Sequence, residues 1–167
     1  MPNVFIASDH AGFALKSALA EHLRTLGYAV EDMGAHALTP EDDYPDFVTP
    51  LAKRIAEENA RGGGAAARGI IIGGSGQGEA MCANRVQGVR AAVFYGPARV
   101  TAALEIEGGR SEDGFDLVRL ARRHNDANVL SLGARFVSGE EAEEAVHIFL
   151  ATPFSPSPRH ARRLAKF

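Results

Sequence analysis

Short apolar runs alternate along the chain with longer stretches in which apolar residues return every three or four positions. This alternation predicts strands joined by crossover helices, and hence a parallel sheet. Strands are predicted at Val4 to Ala7, Ala29 to Met33, Ile70 to Ile72, Arg90 to Phe94 and Asn128 to Leu132. The third is apolar throughout, as expected of a strand covered on both faces. Leu15, Leu19, Leu23 and Leu26 share helical spacing, and Gly27 is placed to end that helix. Phe47, Leu51, Ile55 and Ala56 point a second helix toward the core, with Asp46 as its expected cap. After the last strand, Ser138 and Glu141 make a capping-box pattern ahead of Ala142, Ala145, Val146 and Phe149. The expected fold is α/β: one doubly wound, Rossmann-like sheet of about five parallel strands with helices on both faces.

Two stretches break the rhythm. Residues 105–116, EIEGGRSEDGFD, are polar and glycine-rich, and read as a surface excursion interrupting the fourth crossover. The stretch TPFSPSPRHARRLAKF leaves the last core helix through three prolines and ends in a short basic helix. The expected organisation is a core domain over 1–151 with that insertion, and a proline-rich exit and basic helix over 152–167 belonging to the same functional unit. At 167 residues and 46% hydrophobic content, the chain is long enough for one domain with a buried core. A net charge of −3 argues against a general nucleic-acid binder. No run approaches the length of a membrane span, the first residues lack a signal-like pattern, and Cys82 is a single thiol. The expectation is a cytoplasmic protein with neither nucleic acid nor membrane as partner.

The stretch GGSGQGE, 73–79, follows the third strand, where ligands bind in a doubly wound sheet. It has no lysine, so it is not a Walker loop; its glycines miss the dinucleotide spacing, with Glu79 and Met81 where a third glycine belongs; and Gln77 stands where a hydrolase elbow needs glycine. Two readings remain. The turn is either an anion or oxyanion cradle with Glu79 just inside the next helix, or a tight strand-to-helix turn with Glu79 compensating the helix dipole. Residues after the other strands, Ser8, Asp9 and His10, and the loop with Asp43 and Tyr44, belong to the same edge.

The whole chain resembles the type B ribose-5-phosphate isomerases, relatives of galactose-6-phosphate and other aldose-phosphate isomerases. The resemblance rests on ASDHAGFALK at 7–16, DDYPDF at 42–47, GGSGQGEAMCANRVQGVRAA at 73–92, ARRHNDANVLSLGAR at 121–135 and TPFSPSPRHARR at 152–163. It implies interconversion of aldose and ketose phosphates through a cis-enediol, with ribose 5-phosphate and ribulose 5-phosphate as the pair, and with neither metal nor cofactor. Glu79 is then the base, while backbone N–H groups of Gly74, Gly76 and Gly78 with the Ser75 hydroxyl hold the enediolate oxygens. Some members place a cysteine base where Gly73 stands; this chain looks like the glutamate subtype, and Cys82 reads as a small packing residue.

The resemblance further implies that His124 opens the sugar ring beside Asn125, that Asp9 holds a hydroxyl, and that Tyr44 lines the pocket. His10 binds a hydroxyl or the phosphate. Arg159 and Arg163, four apart and so on one helical face, join Arg135 as the phosphate clamp. The family shares its active site between subunits, which implies a homodimer or a dimer of dimers. The insertion at 105–116, and Arg85 where the family often has lysine, keep a tetrose or hexose phosphate open as the substrate. A non-catalytic sugar-phosphate sensor would keep the same fold and phosphate clamp, and a nucleotide-binding regulatory domain would fit the sheet but not the glycine spacing.

Overall fold

Five parallel strands, β1 (Val4–Ser8), β2 (Val30–Asp32), β3 (Arg68–Gly73), β4 (Ala91–Phe94) and β5 (Val129–Gly133), stand in the order β2-β1-β3-β5-β4. The computed structural model describes residues 1–62, 66–102, 104, 112–155 and 157–166. Each strand lies within two residues of its predicted bounds. The helices are α1 (Phe13–Thr25), α2 (Pro45–Arg61), α3 (Gln77–Ala83), α4 (Asp116–Asn125), α5 (Gly139–Ala151) and α6 (Pro158–Leu164).

Strand side chains alternate between two apolar layers. Val4, Ile6, Ile70, Ile72, Leu130 and Leu132 pack with α1, α4 and α5, whereas Phe5, Ala7, Ile71 and Val129 pack with α2 and α3. Both faces are therefore covered, and Ile70 to Ile72 are fully buried, as the unbroken apolar run predicts. The chain moves from β1 outward to β2, then returns to place β3 on the other side of β1. This reversal opens a crevice above the carboxyl ends of β1 and β3, the ligand-binding position of such sheets. Insertion of β5 between β3 and β4 brings Gly133 beside Gly73 at the same end.

The predicted capping box is present, with the Ser138 hydroxyl accepting from Glu141 N–H and the Glu141 carboxylate accepting from Ser138 N–H. Gly27 ends α1 as expected: at φ +85° it closes a Schellman turn in which Tyr28 N–H donates to Leu23 O and Gly27 N–H to Arg24 O. One boundary is refined and one expectation is corrected. Leu26 is the residue that caps α1 and is 46% exposed, because the helix stops before its periodic position can turn inward. Asp46 lies inside the first turn of α2 and makes no cap bond; Pro45, with its preset φ, starts that helix directly after Tyr44. Of the excursion at 105–116, residues 105–111 lie outside the described residues; Asp113 accepts hydrogen bonds from Phe115 N–H and Arg119 just before α4.

Leu51 is completely buried between α2 and the sheet. Leu51→Ala is expected to cost about 2–5 kcal/mol in urea unfolding, whereas Leu26→Ala should stay within roughly 0.5 kcal/mol of the parent. Equal losses would place Leu26 in the core.

Candidate active site

The glycine turn after β3 is anchored by its carbonyls. Ala134 N–H donates to Gly73 O at 2.8 Å, Arg135 N–H to Gly74 O at 3.2 Å, and the Ser131 hydroxyl to Gly76 O at 2.6 Å. Gly76 takes up the left-handed conformation, φ +74°, that lets the chain turn straight into α3. The opening N–H groups of a helix have no acceptor within it, so α3 begins with donors at the crevice. The Ser75 hydroxyl lies there too, accepting from Gln77 N–H.

Glu79, in the first turn of α3, folds back toward β3 and is only 4% exposed. Its carboxyl sits against Gly73 so closely that a Cβ at that position would overlap it. Burial pushes its pKa above the ordinary glutamate value, and the Asp9 charge acts in the same direction. The Tyr44 hydroxyl lies against Gly78, 2.8 Å from where a Cβ would stand, which closes one wall. The Arg135 guanidinium stands 3.2 Å from the corresponding position on Gly74.

Asp9, immediately after β1, accepts hydrogen bonds from Ala11 and Gly12 N–H and so fixes the short turn that carries His10. His10 bonds through its N–H and its Nδ1 to one oxygen of Asp42, at 2.9 and 2.8 Å. That hydrogen bond raises the His10 pKa above the usual histidine value against the opposing effect of burial, with the Asp9 charge adding to it. The bonded Nδ1 leaves Nε2 as the nitrogen available to a ligand. Asp9, His10 and Asp42 are the metal-competent cluster among the described residues, their ligand-type atoms within 4.8 Å of one another, but the direct His10–Asp42 bonds make the arrangement one of orientation. Sequence reasoning missed Asp42. Its signal was there, an acid in the loop facing a histidine that needs an orienting partner.

His124 and Asn125 end α4, and α6 carries Arg159 and Arg163. These elements occupy the other end of the sheet. Asn128, just beyond α4, accepts from Gly69 N–H at the start of β3, whereas the glycine turn leaves the far end of that strand. The separation along β3 is about 13 Å. His124 stacks on His160 of α6, ring centroids 4.1 Å apart and 19° from parallel, so the histidine turn and the basic helix form one unit. Of the predicted site residues, the chain gathers Asp9, His10, Tyr44, Gly74, Ser75, Gly76, Gly78, Glu79 and Arg135 at one end. It gathers His124, Asn125, Arg159 and Arg163 at the other, and Arg135 does not meet the two tail arginines within one chain.

The profile of the Ribose/Galactose Isomerase family matches residues 4–109 and 114–167. The chain is 35% identical to ribose-5-phosphate isomerase B of Mycolicibacterium paratuberculosis over 96% of its own length and 86% of that protein. Among solved structures it is similar to ribose-5-phosphate isomerase B from Mycoplasma genitalium with bound ribulose-5-phosphate, with 37% identity, TM-score 0.81, and 98% and 92% of the two chains covered. A ribose 5-phosphate isomerase from Thermotoga maritima matches with 36% identity, TM-score 0.80 and coverage of 99% and 96%.

A carboxyl whose pKa is raised by burial costs stability whenever it is charged, and that cost shrinks as pH falls below the raised value and is gone below the ordinary glutamate value. Glu79→Gln is therefore expected to raise the melting temperature at neutral pH, with the gain shrinking as the wild-type carboxyl takes up its proton. A melting temperature lowered at neutral pH would contradict the buried charge.

Proposed function

The chain belongs to the ribose/galactose isomerase family and is an aldose–ketose isomerase, and we propose that it interconverts ribose 5-phosphate and ribulose 5-phosphate through a cis-enediolate, in a site completed by a second copy of itself. The observation that carries this reading is the Glu79 carboxyl, buried in the space left by Gly73 at the reversal point of the sheet. There it takes the proton from C2 of the open-chain aldose and returns it to C1, or the reverse. The raised pKa brings the base closer to the proton affinity that such transfer needs. N–H groups of the glycine turn and the Ser75 hydroxyl carry the charge that develops on the enediolate oxygens.

The furanose must open first, and His124 moves the proton between ring oxygen and anomeric hydroxyl, with Asn125 beside it. Asp9 and Tyr44 hold the sugar, His10 presents Nε2 to a hydroxyl or the phosphate, and Arg135, Arg159 and Arg163 bind the phosphate. The separation of these groups across the sheet supports completion by a second copy, since His124 and the tail arginines stand at the wrong end to serve their own Glu79. Cys82 faces Thr49 between α2 and α3, with Sγ 3.4 Å from the hydroxyl, which fits packing and not proton transfer. No helix among the described residues is long and apolar enough to cross a membrane, and we place the enzyme in the cytoplasm.

In heavy water, ribose 5-phosphate is expected to yield ribulose 5-phosphate carrying deuterium. Glu79→Gln should abolish both conversion and exchange and Cys82→Ala should retain most of both; the opposite ranking would remove Glu79 as the base. Mixing inactive Glu79→Gln and His124→Ala proteins is expected to restore about a quarter of wild-type activity, since mixed dimers rebuild one intact site of two. Absence of complementation after verified subunit exchange would confine each site to one chain.

A further inference from the structure

The turn that presents His124 and Asn125 is held from behind by charges. Asp126 closes α4 in the left-handed conformation, φ +43°, which residues other than glycine seldom adopt. Arg90, from the start of β4, reaches across to this turn. Its Nε donates to Asn125 O and Asp126 O, both at 3.0 Å, and its Nη2 donates to Asp126 O and Oδ2, both at 2.7 Å. From the inner side the buried Arg122 donates Nη1 to Asp126 Oδ1 at 2.8 Å and to Ala127 O at 2.6 Å. The same guanidinium donates Nε to Thr152 O, where the tail leaves α5, and Ser155 N–H donates to Arg123 O.

We infer that Arg90, Asp126 and Arg122, with Asp126 bridging the two guanidiniums, are positioning residues for ring opening: they fix the turn bearing His124 and Asn125 and tie it to the arm bearing Arg159 and Arg163. The inference rests on the isomerase reading above. Arg90 and Asp126 lie at the rim, their side chains 27% and 33% exposed, so their removal leaves no cavity in the core. A glycine at 126 would relieve the backbone and still close the helix. Aspartate is instead held in that conformation, where its two oxygens engage two arginines and leave the turn one position.

Ring opening and enolisation are separable by substrate. Ribose 5-phosphate exists mostly as a furanose and has to open. Ribulose 5-phosphate has its O5 esterified, cannot close to a furanose, and exchanges its C1 proton with solvent through Glu79 without any ring step. Asp126→Gly and Arg90→Gln are expected to lower ribose 5-phosphate turnover about 10- to 100-fold and to lower deuterium entry at C1 of saturating ribulose 5-phosphate by a much smaller factor, since that exchange needs the phosphate arm but no ring step. Equal losses in both readouts, or turnover at the wild-type level, would overturn the assignment. If Asp126→Gly does not fold, Asp126→Asn, which tolerates the left-handed conformation but lacks the charge, is judged by the same two readouts. A wild-type protein with neither activity would refute the isomerase reading instead.

Discussion

All five strands run in one direction, so every connection must surface at one of two ends of the sheet, and the two ends differ in charge by construction. At the carboxyl end helices begin, N–H groups lack acceptors, and anions are favoured. At the amino end helices finish, carbonyls lack donors, and cations are favoured. Arg90 and Arg122 meet that demand with hydrogen bonds to the carbonyls of residues 125, 126, 127 and 152. Positive charge is crowded there: burial together with repulsion from Arg122 and Arg90, partly countered by Asp126, lowers the Arg68 pKa to about 10. The same polarity that places the buried acid above β1 and β3 sends the histidine turn and the basic helix to the far side.

Gly73 and Glu79 compete for one volume. A side chain at 73 would stand where the glutamate carboxyl now lies, so a base can reach this point above β3 from the strand end or from the helix, but not from both. By the resemblance, members of the family with a cysteine at this position use the first route. In this chain the carboxyl arrives by the second, and burial raises its proton affinity as a direct consequence of the fit. The burial that raises the proton affinity of Glu79, and so suits it to the proposed proton transfer, also makes its charge a burden on folding at neutral pH.

Periodicity made the sheet legible because burial on two faces leaves an unbroken apolar run at 70–72, and the capping box at Ser138 is a local device that needs nothing distant. The strand order was not legible, since insertion of β5 between β3 and β4 is decided by packing between elements. Leu26 fitted the helical period, but the Schellman turn at Gly27 ended the helix first. In the site, GGSGQGE could be placed from its position after a strand, while the functional roles came from the family resemblance. Asp42, Arg90, Arg122 and Asp126 passed unassigned because their work is done through hydrogen bonds across 32, 36 and 30 residues, or to backbone carbonyls, and no spacing records that.

A histidine on a loose loop would be able to travel toward its own glycine turn; here the route is closed. About 13 Å of continuous strand separates the two ends, and the turn at 124–126 is pinned to β4 by Arg90 and to the start of the tail by Arg122. Rigidity of this kind is what a site shared between copies requires. Groups delivered from two chains keep their mutual placement only if each is fixed within its own chain, because errors in the two frames add at the substrate. In the proposed assembly the brace and the subunit contact are therefore parts of one device: the contact sets the distance between half-sites, and the arginines make that distance transmissible to His124.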